Sequence, residues 1–297
     1  MTVSPDYPAL CALDAVVTHG GFLKAASALH VTQSAISQRV KTLEERFGAP
    51  LIVRSNPPVA TALGRKLIAH LHSVKLLESE LAGHEGKETE ASAPTLVIGV
   101  NADSLATWFL DAITPLLKEN RVRIELLVEN EHLTHSLLQR GEVFGCISSN
   151  LKPPTGCDSV KLGSMRYICV AHPSFKKRFF KRGFSEGAAK IAPAVFFDRE
   201  DWLHGRFLEG VMKWNVTHPK HFVPSSEGFV EMITRGLAYG IPPRWQVKEE
   251  LVGGTLVDLA PGKGIDVTLS WQYLRRETAS QRALRLVLIR EAKRLLA

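Results

Sequence analysis

The sequence predicts an α/β chain in two parts, a small helical head carrying a two-stranded wing and a larger body of strands alternating with helices. Three observations support this. Two short helical patterns joined by a tight turn lie between Gly21 and Phe47, and a basic, proline-tipped hairpin follows to Ala60. From Thr95 onward the hydrophobic pattern changes to buried strands separated by helices. With 297 residues the chain has room for more than one domain, at about 100–200 residues each.

In the head, paired alanines at Ala25-Ala26 remove side-chain bulk where a second helix must cross closely. His30-Val31 makes the turn, and Thr32 stands where an N-cap is wanted for a helix starting at Gln33. Along that helix Ile36, Val40, Leu43 and Phe47 recur at helical spacing. One stripe therefore faces inward, leaving Gln33, Ser34, Ser37, Gln38 and Lys41 facing out. Gln pairs bidentately with adenine, Ser bonds either partner of a base pair, and Lys reaches guanine or phosphate, so this face suits a major groove. Such a face is also what any solvated helix carries.

The next residues are more specific. Gly48-Ala49-Pro50 stops the helix, Leu51-Ile52-Val53 is a short apolar strand ending in Arg54, Ser55 to Pro58 turns, and Val59-Ala60 returns. Thr61 then caps a new helix, which completes a winged helix-turn-helix with Arg54 placed near a minor-groove phosphate or sugar. Between Gly21 and Lys66 seven lysines and arginines stand against two glutamates, so most of the net charge of +7 sits where phosphate contact requires it.

From Leu63 to Leu81 the positions Leu67, Leu71, Val74, Leu77 and Leu81 alternate by three and four, the spacing of a helix seam. The stripe either packs on its own body or pairs two copies. Pairing is the expectation, because two heads read two half-sites of duplex DNA. Gly83 to Ser92 is apolar-poor and reads as a hinge. The expected division is therefore 1–62 for the head, 63–92 for linker helix and hinge, and 93–297 for the body.

Within the body, strands are expected at Thr95–Val100, Arg123–Val128, Cys146–Ser148, Tyr167–Ala171, Ala194–Phe197 and Thr268–Tyr273. Helices are expected at Leu105–Leu117, His135–Arg140, Gly228–Leu237 and Gln281–Leu296, giving a largely parallel sheet. Strand ends opening into helix N-termini hold small anionic groups, and two such places are Asn101-Ala102-Asp103-Ser104 and Pro224-Ser225-Ser226-Glu227. Each also reads as a plain cap, but their recurrence points to a ligand cleft.

Gly21-Phe22, Ala25-Ala26, Thr32 to Ser37, Leu43-Glu44, Gly48, Leu51, Arg54, Thr61 and Gly64 together resemble the LysR-type regulator pattern, with Leu51-Ile52 where the wing strand usually reads Leu-Phe. The resemblance implies a bacterial transcription factor whose Gln33, Ser34, Ser37, Gln38 and Arg54 contact DNA. The body resembles the family's bilobed, periplasmic-binding-protein-like (type 2) effector domain. More narrowly it resembles the ArgP/LysG branch, on Asn101 to Trp108, Arg140 to Val143, Phe197-Asp198, Pro224 to Ser226, Gly240 to Pro242 and Trp271-Gln272. This implies sensing of L-lysine or L-arginine, control of an amino-acid exporter or related genes, a homodimer or homotetramer, and RNA polymerase as a partner at promoters. An organic acid or neutral amino acid is the alternative effector.

A basic amino acid needs acceptors for two cationic groups and donors for its carboxylate. Asp103, Asp198, Asp201 and Glu227 are the candidate acceptors, Asn101, Ser104, Ser225 and Ser226 line the same loops, and Trp108 or Phe197 can stack on the stem. Asp198 to Asp201 also reads as a solvated charged loop.

An enzyme is not expected, because the chain has no Gly-x-Ser-x-Gly elbow, Gly-x-x-x-x-Gly-Lys-Ser/Thr loop or His-Glu-x-x-His pair. His132 and His135 have helical metal spacing without an evident third ligand, and no cofactor is implied. Cys11, Cys146, Cys157 and Cys169 form neither a CxxC pair nor a disulfide framework, which fits buried thiols in a reduced cytoplasm. No apolar run approaches the roughly 18 residues of a membrane span, so a cytoplasmic protein without a membrane partner is expected.

Overall fold

The computed structural model describes residues 6–53, 55–83, 93–120, 122–129, 131–139 and 141–296. The head begins with α1 (Tyr7–Thr18), whose N-terminus Asp6 caps at Ala9 N and which buries Leu10, Leu13 and Val16. Next comes α2 (Phe22–Ala28), burying Ala25 and Ala26 at the helix crossing as their small size requires. His30 takes φ 53° in the turn, and α3 (Gln33–Phe47) starts with Ala35 N donating to Thr32 Oγ1 at 3.2 Å. Gly48 ends it in the left-handed region at φ 66°.

Strands β1 (Ile52–Val53) and β2 (Val59–Ala60) form the wing, with Ile52 opposite Ala60. Glu44 fixes the wing to α3, since its Oε1 accepts from Leu51 N at 2.8 Å. At the base of the wing, Thr61 Oγ1 accepts from Gly64 N, and a Cβ on Gly64 would collide with the Leu51 carbonyl oxygen.

The long helix α4 (Ala62–Gly83) corrects the seam expectation in its first half. Leu71 is buried in the head core, with Leu63, Leu67 and Ile68 packed against it. The stripe there serves its own chain, because the head's three short helices cannot close a core without a fourth. Asp14 ties α1 to α4 through His72 Nε2 at 3.0 Å and Lys75 Nζ at 3.6 Å. Burial pushes the Asp14 carboxyl up, but the His72 bond and the Lys75 charge outweigh it and hold the group below its usual value. The side chains of Leu77 and Leu81, and the hinge after Gly83, lie outside the described residues.

The body holds two subdomains. The first is a five-stranded sheet in which β3 (Thr95–Asn101) lies between β4 (Arg123–Glu129) and β5 (Gly145–Ser148), all parallel. The last two strands, β11 (Ile265–Leu274) and β6 (Cys157–Tyr167), run antiparallel to their neighbours. The sheet is therefore mixed, against the expectation of a largely parallel one. Its reason is connectivity: the chain leaves this subdomain along β6 and returns along β11, so the two pair as a long antiparallel ribbon. A helical run follows β3 as α5 (Ala102–Ser104), a π-helical turn Leu105–Phe109 and α6 (Leu110–Leu117), and α7 (Glu131–Gln139) links β4 to β5.

The second subdomain pairs β7 (Val170–Ala171) with β10 (Val257–Asp258), and β8 (Ala194–Phe196) with β9 (Lys220–Phe222). Single bridges from Val170 to Gly240 and from Ala194 to Tyr239 join the two pairs. Short helices α8 (Pro173–Phe179), α9 (Glu186–Ala189), α10 (Leu203–Gly205) and α12 (Lys248–Gly253) and the longer α11 (Ser226–Thr234) surround it. The chain ends in α13 (Ala279–Leu295), opened by a capping box of Thr278 and Gln281. Among the described residues no single helix is long and apolar enough to cross a membrane.

Candidate effector cleft and nucleic-acid interface

The cleft lies between the subdomains. Parallel pairing places Asn101 at the end of β3 beside Glu129 at the end of β4, so both strands deliver a polar side chain to one edge. Opposite them stand Phe197, Asp201 and Trp202 from the loop after β8, with Gln246 closing one side. Among its described lining residues none is lysine or arginine, whereas Asp103, Glu129 and Asp201 are acids. This chamber, about 60 Å³, shares Ala102, Glu129 and Phe197 with an adjoining one of about 430 Å³, where Asp198, Ser225, Ser226 and Glu227 stand.

Asp103 is at the centre. Its Oδ1 accepts from the Ser226 hydroxyl at 2.8 Å and its Oδ2 from the Tyr167 hydroxyl at 2.8 Å. Ser226 belongs to the second subdomain, so this bond crosses the cleft. Burial pushes the Asp103 carboxyl above its usual range; the Ser226 and Tyr167 hydroxyls pull it back, and Glu227 adds to the rise. Gln246 holds Ser226 in place by donating from Nε2 to its carbonyl oxygen at 3.1 Å.

Asp201 braces the facing loop, accepting from Phe197 N and Leu203 N, each at 3.0 Å. Burial raises its carboxyl too, against those two backbone bonds. Asp198 turns back on its own loop, accepting from Glu200 N at 2.7 Å. The run Asp198 to Asp201 is thus divided, Asp201 folded into the cleft wall and Asp198 serving a turn. Ser225 caps α11 by accepting from Gly228 N, and donates to Glu227 Oε2 at 3.1 Å.

Ser104 and Trp108 fall elsewhere. Both are fully buried, and with Asn101 they follow one helical face inward behind the cleft floor; Asn101 alone of the three reaches the lining. Trp108 therefore cannot stack on a ligand in the cleft. The aromatic walls are Phe197 and Trp202, and the Arg206 guanidinium covers the Trp202 ring at 5.0 Å.

Sequence reasoning missed Glu129, Tyr167, Trp202 and Gln246. Glu129 ends a strand parallel to the one that carries Asn101, and that signal was readable. Tyr167 and Gln246 reach the site only through tertiary folding.

On the head, Gln33, Ser34, Ser37, Gln38 and Lys41 are all exposed on α3. Gln33, Ser37 and Lys41 line a groove against Ser55 and Asn56 of the wing. Lys41 Nζ lies 3.6 Å from Glu45, a solvent-exposed pair that costs little to break. Arg54 lies outside the described residues, as do the side chains of His132 and His135. All four cysteines are free.

Comparison with known proteins accounts for both halves. The family model for bacterial regulatory helix-turn-helix proteins of the lysR family matches residues 8–65, and that for the LysR substrate binding domain matches residues 89–293. The chain is 43% identical over 293 residues to the HTH-type transcriptional regulator ArgP of Aeromonas salmonicida, covering 98% of each chain. The crystal structure of ArgP from Mycobacterium tuberculosis superposes with TM-score 0.81 at 34% identity, covering 98% of this chain and 99% of that one. Full-length LysG from Corynebacterium glutamicum with bound effector Arg superposes with TM-score 0.70 at 32% identity, with the same coverage. A head that presents a bare polar helix and a body that encloses a cleft are thus two modules of one regulator, and this chain belongs to the LysR family of DNA-binding transcriptional regulators rather than to any enzyme class.

Proposed function

We propose that the protein is a cytoplasmic regulator that binds a basic amino acid, L-arginine or L-lysine, in the cleft between its subdomains and so controls an exporter or related metabolic genes. The observation that carries this is a cleft lined by Asp103, Glu129 and Asp201 with no lysine or arginine on its described walls. An organic acid would meet three carboxylates there, and a neutral amino acid would leave Asp103 buried without a charge to match it. In this reading Asp103 receives one cationic group, and Glu129, with Glu227 beyond it, receives the other. The stem passes between Phe197 and Trp202, and the N-terminus of α11 at Ser225 and Ser226 faces the carboxylate. Asn101 orients the ligand at the floor, while Asp198 and Asp201 shape the loop opposite.

The heads, bounded by residues 1–62, read two half-sites in a homo-oligomer paired through the 63–92 segment. Gln33, Ser34, Ser37 and Gln38 face base edges, Lys41 and Arg54 face phosphates, and RNA polymerase is the partner at promoters. Ligand closure of the 93–297 body regulates through a difference in affinity between two arrangements, typically about 1–3 kcal/mol.

Titration calorimetry with L-arginine, L-lysine, L-citrulline and succinate tests the effector. Citrulline has the shape of arginine without its charge. Binding of arginine or lysine with no heat from citrulline or succinate is the expected result. Equal binding of citrulline, or binding of succinate alone, removes the carboxylates from ligand recognition.

A further inference from the structure

The linker helix meets the body of its own chain along one face. Arg65, Ala69 and His72 are spaced at i, i+4 and i+7 along α4 and share that face. Arg65 Nε donates to Glu142 Oε1 at 2.9 Å, and its Nη1 donates to the carbonyl oxygen of Ala60 at 2.9 Å. One guanidinium therefore grips the second wing strand and the body together. The Glu142 side chain is only 12% exposed, while the Arg65 side chain remains 41% exposed, so the pair is shielded on the body side alone. Gly141, at φ 71°, lets the loop turn against the helix, and a Cβ there would lie 3.9 Å from Ala69 Cβ. Ala69 and His72 then face Thr95, Val97 and Phe144 across a crevice.

Those crevice residues begin the strands that end in the cleft. β3 enters at Thr95 and finishes at Asn101, with Asp103 two residues beyond. At about 3.3 Å per residue it reaches roughly 20 Å from crevice to cleft. β5 starts next to Phe144 and pairs with the middle of β3, Ile98 opposite Gly145. A stiff strand with one end at each place is an element that both a ligand and a head position can bias.

We infer that the Arg65–Glu142 contact is where the body sets the position of the wing and linker helix within the same chain. The identity of the effector rests on the cleft reading above, but the contact does not. Glu142→Gln keeps the side chain's shape and removes its charge, and Arg65→Met keeps the helix.

Hydrogen exchange on the full-length protein without ligand gives the first readout. Amides from Gly141 to Phe144 are expected to exchange about tenfold faster in Glu142→Gln, and no faster still in the double variant, whose additional loss of the Arg65–Ala60 bond is read separately from Ala60 to Ala69. Unchanged exchange, or additive acceleration in the double variant, would overturn the contact. The second readout is the ratio of DNA affinities with and without L-arginine or L-lysine, on a duplex selected by the protein from a random pool. In Glu142→Gln the ratio is expected to fall toward one while thermal shift shows the amino acid still bound. A full ratio in that variant overturns the coupling. Absence of any thermal shift in the unmodified protein would sink the effector reading instead, and the exchange experiment would still decide the contact.

Discussion

The reading helix and the cleft treat their polar side chains in opposite ways. On α3 the side chains of Gln33, Ser37, Gln38 and Lys41 stand in solvent, and the bonds that shape the helix come from residues off that face, Thr32 at the start and Glu44 toward the wing. In the cleft the two buried acids already have protein partners: Asp103 holds the Ser226 and Tyr167 hydroxyls, and Asp201 holds two backbone amides. A surface that must meet an extended, fully hydrated polyanion gains by staying free until contact. A site that selects one small cation gains by pre-setting its acceptors and keeping them dry. The difference teaches that substitutions on the two regions should report differently, the cleft through large local losses and the helix through small, sequence- or salt-dependent ones.

The largest expected effect is at Asp103. Asp103→Asn removes the charge but keeps both hydroxyl partners in reach, and is expected to weaken L-arginine or L-lysine binding by about 2–5 kcal/mol, read by calorimetry. A loss under tenfold would place the ligand's cation elsewhere. The same residue sets a pH dependence. Its folded-state pKa is raised above 3.8, so between 3.8 and the raised value the folded protein holds a proton that the unfolded chain has released. The stability cost of ionising it therefore grows as pH rises through that window and is complete above it. A bound cation offsets this cost, so ligand affinity is expected to fall as pH drops through the window, with proton release on binding.

Gln33→Ala tests the other region. It is expected to relax preference at one base position by about 1–3 kcal/mol in a binding-site selection, with other positions unchanged. Equal weakening on specific and random duplexes would make Gln33 a backbone contact. Thr32→Ala removes the cap of α3 and is expected to cost about 1 kcal/mol in denaturant unfolding, with no change of base preference. The smallest effect is at Lys41: Lys41→Ala is expected to reduce the slope of log affinity against log salt by about 0.9. An unchanged slope would leave Lys41 paired with Glu45 and outside the footprint.

The head was legible in the sequence almost to the residue, because its signals are local. Thr32, Gly48 and Thr61 act within three or four residues of themselves, and the Ile36, Val40, Leu43 stripe needs only helical spacing to be read. The linker stripe has the spacing of a seam between helices, yet Leu71 packs into the head, since spacing shows that a face is buried and not against what. In the body, Asp103 and Ser226 each stand at a readable helix start, but nothing local says that residues 123 apart in sequence share a hydrogen bond. Trp108 illustrates the reverse error. It follows the cleft residues in sequence, and helical rotation carries it behind the floor into the core. The mixed sheet escaped for a related reason, because the strand of Cys157 to Tyr167 runs through Lys161, Gly163 and Ser164 and lacks a clean alternation.

The claim at the centre is that the cleft's carboxylates exist for a cationic ligand. Thermal unfolding of the protein and of Asp103→Asn, each with L-arginine, L-lysine or L-citrulline, tests it most directly, since a ligand at 100 times its dissociation constant adds about 2.7 kcal/mol. The account predicts a rise in Tm with arginine or lysine for the unmodified protein, none with citrulline, and none for Asp103→Asn with any of the three. A rise with citrulline, or an undiminished rise with arginine in Asp103→Asn, would contradict it.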